Sequence, residues 1–402
     1  MKNNNQSIPY LWLAGLSMLG FLATDMYLPA FDIIKGDLGT SQNLISWTLS
    51  VFLLGMALGQ LIYGPLSERH GKIKTLSAGM GLFSISSLVC AFAPNIETLL
   101  VARFFQALGA CSATVIWQAV VIDRYDGKVS QRIFATIMPL VALSPALAPL
   151  VGAALEKHLG WSSIFLTLSA IGVLLILRSM TEKEAPKTEE NNQNIIQQLT
   201  TNYRFILKSN SFKGNMLIFA ACSAAFFAWL TGSPFIMTEM GYSGTDIGLS
   251  YVPQTIAFIV GGYGCRALLT KFEPQQLLPW LLKLFVVSVL VIFLVAWRTE
   301  PTSIIPLLIP FCFMAVANGA IYPIVVNSAL TEFKSCSASA AGLLNFLQTM
   351  ICFGASALVS ALSQYGVFSM STVMLVQGAV VFVGLVLVYK AKRNNEQLAT
   401  NS

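Results

Sequence analysis

Long apolar runs separated by short polar breaks recur along the whole chain. They cover, approximately, residues 9–30, 44–63, 73–93, 96–122, 133–153, 162–180, 213–235, 246–268, 277–297, 304–327, 338–360 and 369–390. A helix needs roughly 20 mainly apolar residues to cross a bilayer, and about twelve runs meet that criterion. The expected fold is therefore an all-α membrane protein of twelve transmembrane helices in two six-helix bundles.

Most breaks are short, with one exception. Thr181 to Phe212 gathers Glu182, Lys183, Glu184, Lys187, Glu189, Glu190 and a cluster of Asn and Gln. It divides the chain into an N-terminal bundle (1–180), a linker (181–212) and a C-terminal bundle with a short tail (213–402). Ile195 to Leu207 has the pattern of a weak amphipathic helix lying on the membrane. Two six-span halves joined by such a linker are what a transporter needs when its halves tilt about a midplane site. A channel, a receptor or a membrane-embedded enzyme would share this hydropathy.

Composition agrees with a membrane location. Charged residues make up 10% of the chain, against about 25% in soluble proteins. The net charge of +6 forms no basic stripe, so topology accounts for it better than nucleic acid does. With the N-terminus cytoplasmic, the outer breaks hold only Lys35, Lys157 and Arg298 among the basic residues. That bias places both termini and the linker inside. The first run has no clear cleavage site and reads as a retained span. The seven cysteines are scattered, mostly within spans, without a C-x-x-C pair; that argues against a disulfide framework or a zinc site. The two histidines, His70 and His158, are expected in loops without ligand spacing. There is no nucleotide-binding loop or hydrolase signature, so transport would draw on an ion gradient or on the substrate's own gradient, without a cofactor or a metal.

Asp25 is the one acid well inside the first six spans. An Asp at a helix centre costs about 2.5–3.5 kcal/mol on insertion scales, so something must offset it: water, a cation or a proton. An acid that gains and loses a proton as access alternates can couple transport to a proton gradient. The bland reading is an interfacial Asp that ends its helix near Pro29. Arg103, in the fourth span, lies at a similar depth, roughly 10 Å from the same boundary at 1.5 Å per residue. Its part would be to bias a neighbouring acid or polarise substrate and water; a static ion pair is the plain alternative. Gln106 is one turn along.

The fifth span holds Pro139, Pro145 and Pro149 among small residues. Proline removes backbone donors and bends a helix, so this span suits a hinge, a packing seam or a structural kink. Gly64 to Lys72 is expected to be a short charged loop with a tight turn at glycine, the residue that tolerates positive φ. Its Glu68, Arg69, Lys72 and Lys74 face Asp123 and Arg124 and would form either a conformational latch or a solvated loop. The second half carries uncharged polar and aromatic residues within its spans: Trp229, Thr231, Ser233, Tyr251, Gln254, Thr255, Asn318, Tyr322, Asn327, Asn345 and Gln348. Trp117 and Gln118 of the fourth span add to them, as does Tyr27 of the first. Amides and flat rings suit a neutral, planar, hydrogen-bonding substrate such as a nucleobase or nucleoside. Singly, each is as well explained by bonds between helices.

The loop Gly64-Pro65-Leu66-Ser67-Glu68-Arg69-His70-Gly71-Lys72 resembles the loop between the second and third spans of major facilitator transporters, with Glu68 where that pattern has Asp. Together with Gly20 to Phe31, the Arg103 segment and the Ser144-Pro145-Ala146-Leu147-Ala148-Pro149 run, it resembles the Bcr/CflA branch of drug:proton antiporters. Ala220 to Tyr242, Ile247 to Ala267 and Ile309 to Val326 are similar to the purine nucleoside transporters of that branch. The resemblance implies a monomeric, proton-coupled carrier of purine nucleosides in the bacterial inner membrane, with a broad multidrug:proton efflux antiporter as the alternative. It makes Asp25 and Arg103 candidates for coupling. It also makes Gly64, Glu68, Arg69, Gly71, Lys72 and Asp123 the latch.

Overall fold

The structure is a computed structural model that describes residues 8–141, 143–182, 195–299 and 301–400. Among the described residues the secondary structure is helical throughout. The helices are α1 (Tyr10–Asp25), α2 (Phe31–Asp37), α3 (Gln42–His70), α4 (Lys72–Ala91), α5 (Ile96–Arg124), α6 (Gly127–Val141), α7 (Ser144–Leu159) and α8 (Ser162–Met180). They continue as α9 (Ile195–Lys208), α10 (Asn210–Glu239), α11 (Gly244–Leu268), α12 (Pro274–Arg298), α13 (Ile305–Thr331), α14 (Ser337–Ala361) and α15 (Gly366–Thr400). Among the described residues, ten helical segments are long and apolar enough to cross a membrane. The remaining two crossings are the interrupted α6–α7 pair and α11, in which Tyr251, Gln254, Thr255 and several glycines replace apolar side chains.

Helix ends follow local chemistry. Ser209 caps α10 by accepting from the Phe212 amide at 3.1 Å. Ser243 and Asp246 form a capping box on α11. Long apolar side chains such as Leu54, Val101, Leu174, Val287 and Phe382 stand exposed along the outer faces, as lipid-facing surfaces require.

Two expectations need correction. The Gly64 to Lys72 stretch is not a loop. α3 runs through Gly64 and Pro65 to His70, and the turn is confined to Gly71 at φ +97°. The helix persists because Ser67 bonds back to the Gly64 carbonyl at 2.8 Å and His70 Nδ1 bonds to the Leu66 carbonyl at 3.1 Å. Gly71 is thus the position that needs glycine, and Gly64 is an ordinary buried helical residue. The two histidines also lie in helices, His70 at the end of α3 and His158 in the last turn of α7. The linker residues 183–194 lie outside the described residues.

The chain forms two compact units. Unit 1 comprises residues 1–124 and 143–195, and unit 2 comprises 125–142 and 196–402. The fifth crossing is therefore shared: α6 packs in unit 2 against α11 and α13, and α7 packs in unit 1 against α1 and α8. Pro139 lies inside α6, Pro145 in the first turn of α7 and Pro149 inside α7. In unit 2, Ser130 of α6 donates to Asn327 Oδ1 of α13 at 2.6 Å in a buried bond, and Lys128 pairs with Glu273 at 2.9 Å. In unit 1, Gly152 of α7 lies so close to the Met26 carbonyl that a Cβ there would overlap it.

Candidate functional site

Unit 1 is built around a buried cation. Arg103 of α5 is 0% exposed. Its Nη1 donates to the Ala23 carbonyl of α1 at 2.9 Å and to Gln106 Oε1 at 2.6 Å. Gln106 Nε2 in turn donates to Ser87 Oγ of α4 at 2.8 Å. Three rings enclose the guanidinium: Tyr27 at 4.4 Å, Phe52 at 4.3 Å and Phe165 at 5.9 Å from their centroids. The Tyr27 hydroxyl shares a hydrogen bond with Thr48. Arg103 Nε and Nη2 are buried without a hydrogen-bond partner. Aromatic faces attract a desolvated cation, so the cage offsets part of the cost of burial without a carboxylate.

Asp25 closes α1, two residues after the carbonyl that Arg103 holds. It is half-buried. Among the described residues no Lys or Arg lies within ion-pair distance of its carboxylate. Asp25 and Arg103 are thus linked through the backbone of α1 rather than as an ion pair. The Tyr27 ring faces the Arg103 guanidinium and Gln106 bonds to it, so both side chains belong to the Arg103 cluster. Trp117 and Gln118 are buried on α5 in the same unit.

At the linker-side end of unit 1, Lys72 forms an ion pair with Asp123 at the end of α5. Arg124 pairs with Glu182, which also receives Arg178 at 2.7 Å. Glu68 is half-buried and Arg69 exposed. Lys72 is thus a basic residue of this stretch that ion-pairs with Asp123; the sequence alone offered Arg69 and Lys74 equally.

Part of the second-half polar set lies along α10, α11 and α13 of unit 2. Trp229 of α10 is 0% exposed and stacks on Phe311 of α13 at 4.2 Å. Phe226 joins Phe311 at 5.5 Å to Phe258 at 6.5 Å, and Phe258 meets Tyr322 at 5.5 Å. Asn318 and Gln254 lie on the same helices as these rings, one turn from Tyr322 and Phe258. The α11 and α13 backbones touch at this level, since a Cβ on Gly319 would meet the Phe258 carbonyl and one on Gly261 the Val316 carbonyl. Asn318 Nδ2 donates to the Cys222 carbonyl at 3.1 Å, and Gln254 Nε2 to the Ser250 carbonyl at 2.9 Å. Tyr251 and Tyr322 are half-buried, as are Asn345 and Gln348 on α14. Gln348 turns toward Cys352 of its own helix at 3.3 Å.

Phe52, Phe165, Phe226, Phe258 and Phe311 were not legible as site residues, because a Phe in an apolar span carries no signal of its own. Only their contact with Arg103, Trp229 or Tyr322 marks them.

The family model of the Major Facilitator Superfamily matches residues 13–356. The chain belongs to this superfamily. Among curated relatives, an uncharacterized MFS-type transporter, YdgK, of Bacillus subtilis is 35% identical over 62% of this chain and 63% of its own length. The multidrug resistance protein MdtL of Shewanella oneidensis is 26% identical over 93% of both chains. A chloramphenicol resistance protein of Pseudomonas aeruginosa is 28% identical over 80% of this chain and 76% of its own. Among solved structures, the proton:xylose symporter XylE superposes with a TM-score of 0.76 over 95% of this chain and 94% of its own, at 14% identity; that likeness concerns the fold. Like other superfamily members, the chain is a multi-pass membrane protein and a secondary transporter of small molecules. Its fold is the all-α, twelve-crossing arrangement expected from the hydropathy pattern.

Proposed function

We propose that the chain is a proton-coupled antiporter of the drug:proton kind, set in a bacterial inner membrane with both termini and the linker on the cytoplasmic side. The observation that carries this reading is the similarity over 93% of the chain to a relative named as a multidrug resistance protein. A second relative named for chloramphenicol resistance supports it. Asp25 is the proton-carrying group, and Arg103 fixes the end of α1 on which it sits. The Lys72–Asp123 pair biases the balance between inward-open and outward-open states.

A second reading, transport of purine nucleosides, is favoured by one feature. The middle of unit 2 offers flat rings next to amide groups, the chemistry of a neutral, planar, hydrogen-bonding ligand. Among the described residues, no carboxylate that a permanently cationic drug would seek lies beside these rings.

Purified protein in proteoliposomes with an imposed pH gradient tests both readings. The antiporter reading expects chloramphenicol or a cationic dye to move against the proton flux. The nucleoside reading expects labelled adenosine or inosine to be accumulated or released with the gradient, without competition from cationic drugs. Gradient-independent movement of every compound would defeat proton coupling.

A further inference from the structure

We infer that the middle of unit 2 is a hydrogen-bond-accepting site, so its ligand must bring N–H or O–H donors; this rests on the proposal that the ligand is a small neutral molecule. The amides decide the polarity. A backbone carbonyl only accepts, so the Asn318 atom facing the Cys222 carbonyl and the Gln254 atom facing the Ser250 carbonyl must both be NH2 nitrogens. That arrangement leaves the two amide oxygens over. Asn318 Oδ1 and Gln254 Oε1 are buried and have no hydrogen-bond partner, although their residues are only 0% and 2% exposed.

Among the other buried polar atoms of unit 2 without a partner, which include Ser233 Oγ, one is an N–H donor on α10. Trp229 Nε1 is also buried without a partner. Two acceptors and one donor thus lie on α10, α11 and α13, the three helices that the ring contacts join. Polar groups buried and unpaired are costly, and natural proteins keep few of them. Here three lie on α10, α11 and α13, which pack against one another in unit 2. The half-buried Tyr251 and Tyr322, one turn from Gln254 and from Asn318, give the cluster an accessible edge.

The matching ligand carries at least two hydrogen-bond donors, one acceptor and a flat face to lie against the rings. An exocyclic amine beside a ring nitrogen fits this description. A ligand whose donors are methylated or acylated leaves both amide oxygens unpaired, and the site rejects it for the reason that buried polar sites reject analogues lacking their partner. Gln254 and Asn318 are therefore specificity-determining residues whose preference is set by the Ser250 and Cys222 carbonyls behind them.

The test is equilibrium binding to the detergent-purified full chain with two matched series. One series is adenosine, purine riboside (no 6-amino donors and no added bulk) and N6,N6-dimethyladenosine. The other is chloramphenicol and its O-acetylated derivative. Removing donors is expected to weaken binding roughly ten- to a hundredfold within whichever series binds. Gln254→Met, similar in volume and lacking the acceptor, is expected to shrink that ratio. Binding of adenosine and purine riboside with equal affinity, or of both chloramphenicol forms equally, would overturn the accepting polarity. If chloramphenicol binds and no nucleoside does, the nucleoside reading falls and the chloramphenicol pair decides the inference. If neither series binds, the inference falls with the reading beneath it.

Discussion

Arg103 donates from Nη1 to the carbonyl oxygen of Ala23 at 2.9 Å, so a cation on α5 grips the turn of α1 that ends in Asp25. Unit 2 repeats the arrangement without charge: Asn318 of α13 donates to the Cys222 carbonyl of α10 at 3.1 Å. α1 and α5 are the first and fourth crossings of their half, and α10 and α13 hold the same places in theirs. Related halves are expected in this superfamily. The charged version in unit 1 suits proton coupling, and the neutral version in unit 2 suits substrate recognition.

The grip of Arg103 predicts that charge alone is not enough. Arg103→Lys keeps the cation but loses the planar fork that reaches both Ala23 and Gln106 and lies among three rings. A hydrogen bond to a charged group contributes about 1.5–3 kcal/mol. The expected result is a loss of transport close to that of Arg103→Met, with the protein still folded and inserted. Wild-type transport by Arg103→Lys in proteoliposomes would show that position and geometry do not matter.

Gly152 tests the other support of the same turn. A Cβ there overlaps the Met26 carbonyl, one residue beyond Asp25. Gly152→Ala is expected to shift α1 against α7, at an overpacking cost of about 1–3 kcal/mol, and to depress proton-coupled transport. Gly81→Ala is the control, because open space surrounds that position; it is expected to leave transport and thermal stability near wild type. Equal behaviour of the two variants would remove the α1–α7 contact from the account.

Much of this architecture was legible in the residues, and the reasons for the remainder are physical. Hydropathy located the crossings because each must be apolar over the width of a bilayer. It misplaced the end of α3, since charge marks where a chain meets water, not where a helix stops; the stop needed Gly71 and its positive φ. The division of the fifth crossing between two units was hidden, because Pro139, Pro145 and Pro149 announce a bend without saying which half packs where. Arg103 and Asp25 stood out as charges in apolar runs, yet their backbone link depended on which carbonyl the guanidinium reaches. The accepting polarity in unit 2 was invisible because an amide in a sequence does not say which of its ends is spent.

The Lys72–Asp123 pair makes a kinetic prediction. If, as proposed, the ion pair at the end of α5 biases conformation, Asp123→Ala or Lys72→Ala is expected to slow turnover more than it weakens affinity. A modest loss of apparent affinity follows if the competent state becomes rarer. The exchange Lys72→Asp with Asp123→Lys is expected to recover part of the rate. Arg69→Ala, which removes an exposed side chain, should be milder than either. Normal turnover in both pair variants, at normal expression, would reduce the pair to a surface contact.

The buried Ser130–Asn327 bond at 2.6 Å ties α6 into unit 2. Ser130→Ala leaves Asn327 Oδ1 without that donor, at a cost of about 1–3 kcal/mol. The expected outcome is a lower melting temperature for the purified protein and altered transport rates. Ser130→Thr, which keeps the hydroxyl, is expected to retain more of both. A Ser130→Ala protein with unchanged melting and unchanged rates would mean that α6 is held by packing alone.

The central claim is that a proton carried at Asp25 drives transport, and a pH jump across proteoliposome membranes tests it most directly. Wild-type protein is expected to accumulate substrate when the gradient is imposed and to lose that accumulation when an ionophore collapses it. Asp25→Asn is expected to abolish gradient-driven accumulation while substrate exchange between the two sides persists. Accumulation by Asp25→Asn at the wild-type level under the same pH jump would contradict the account.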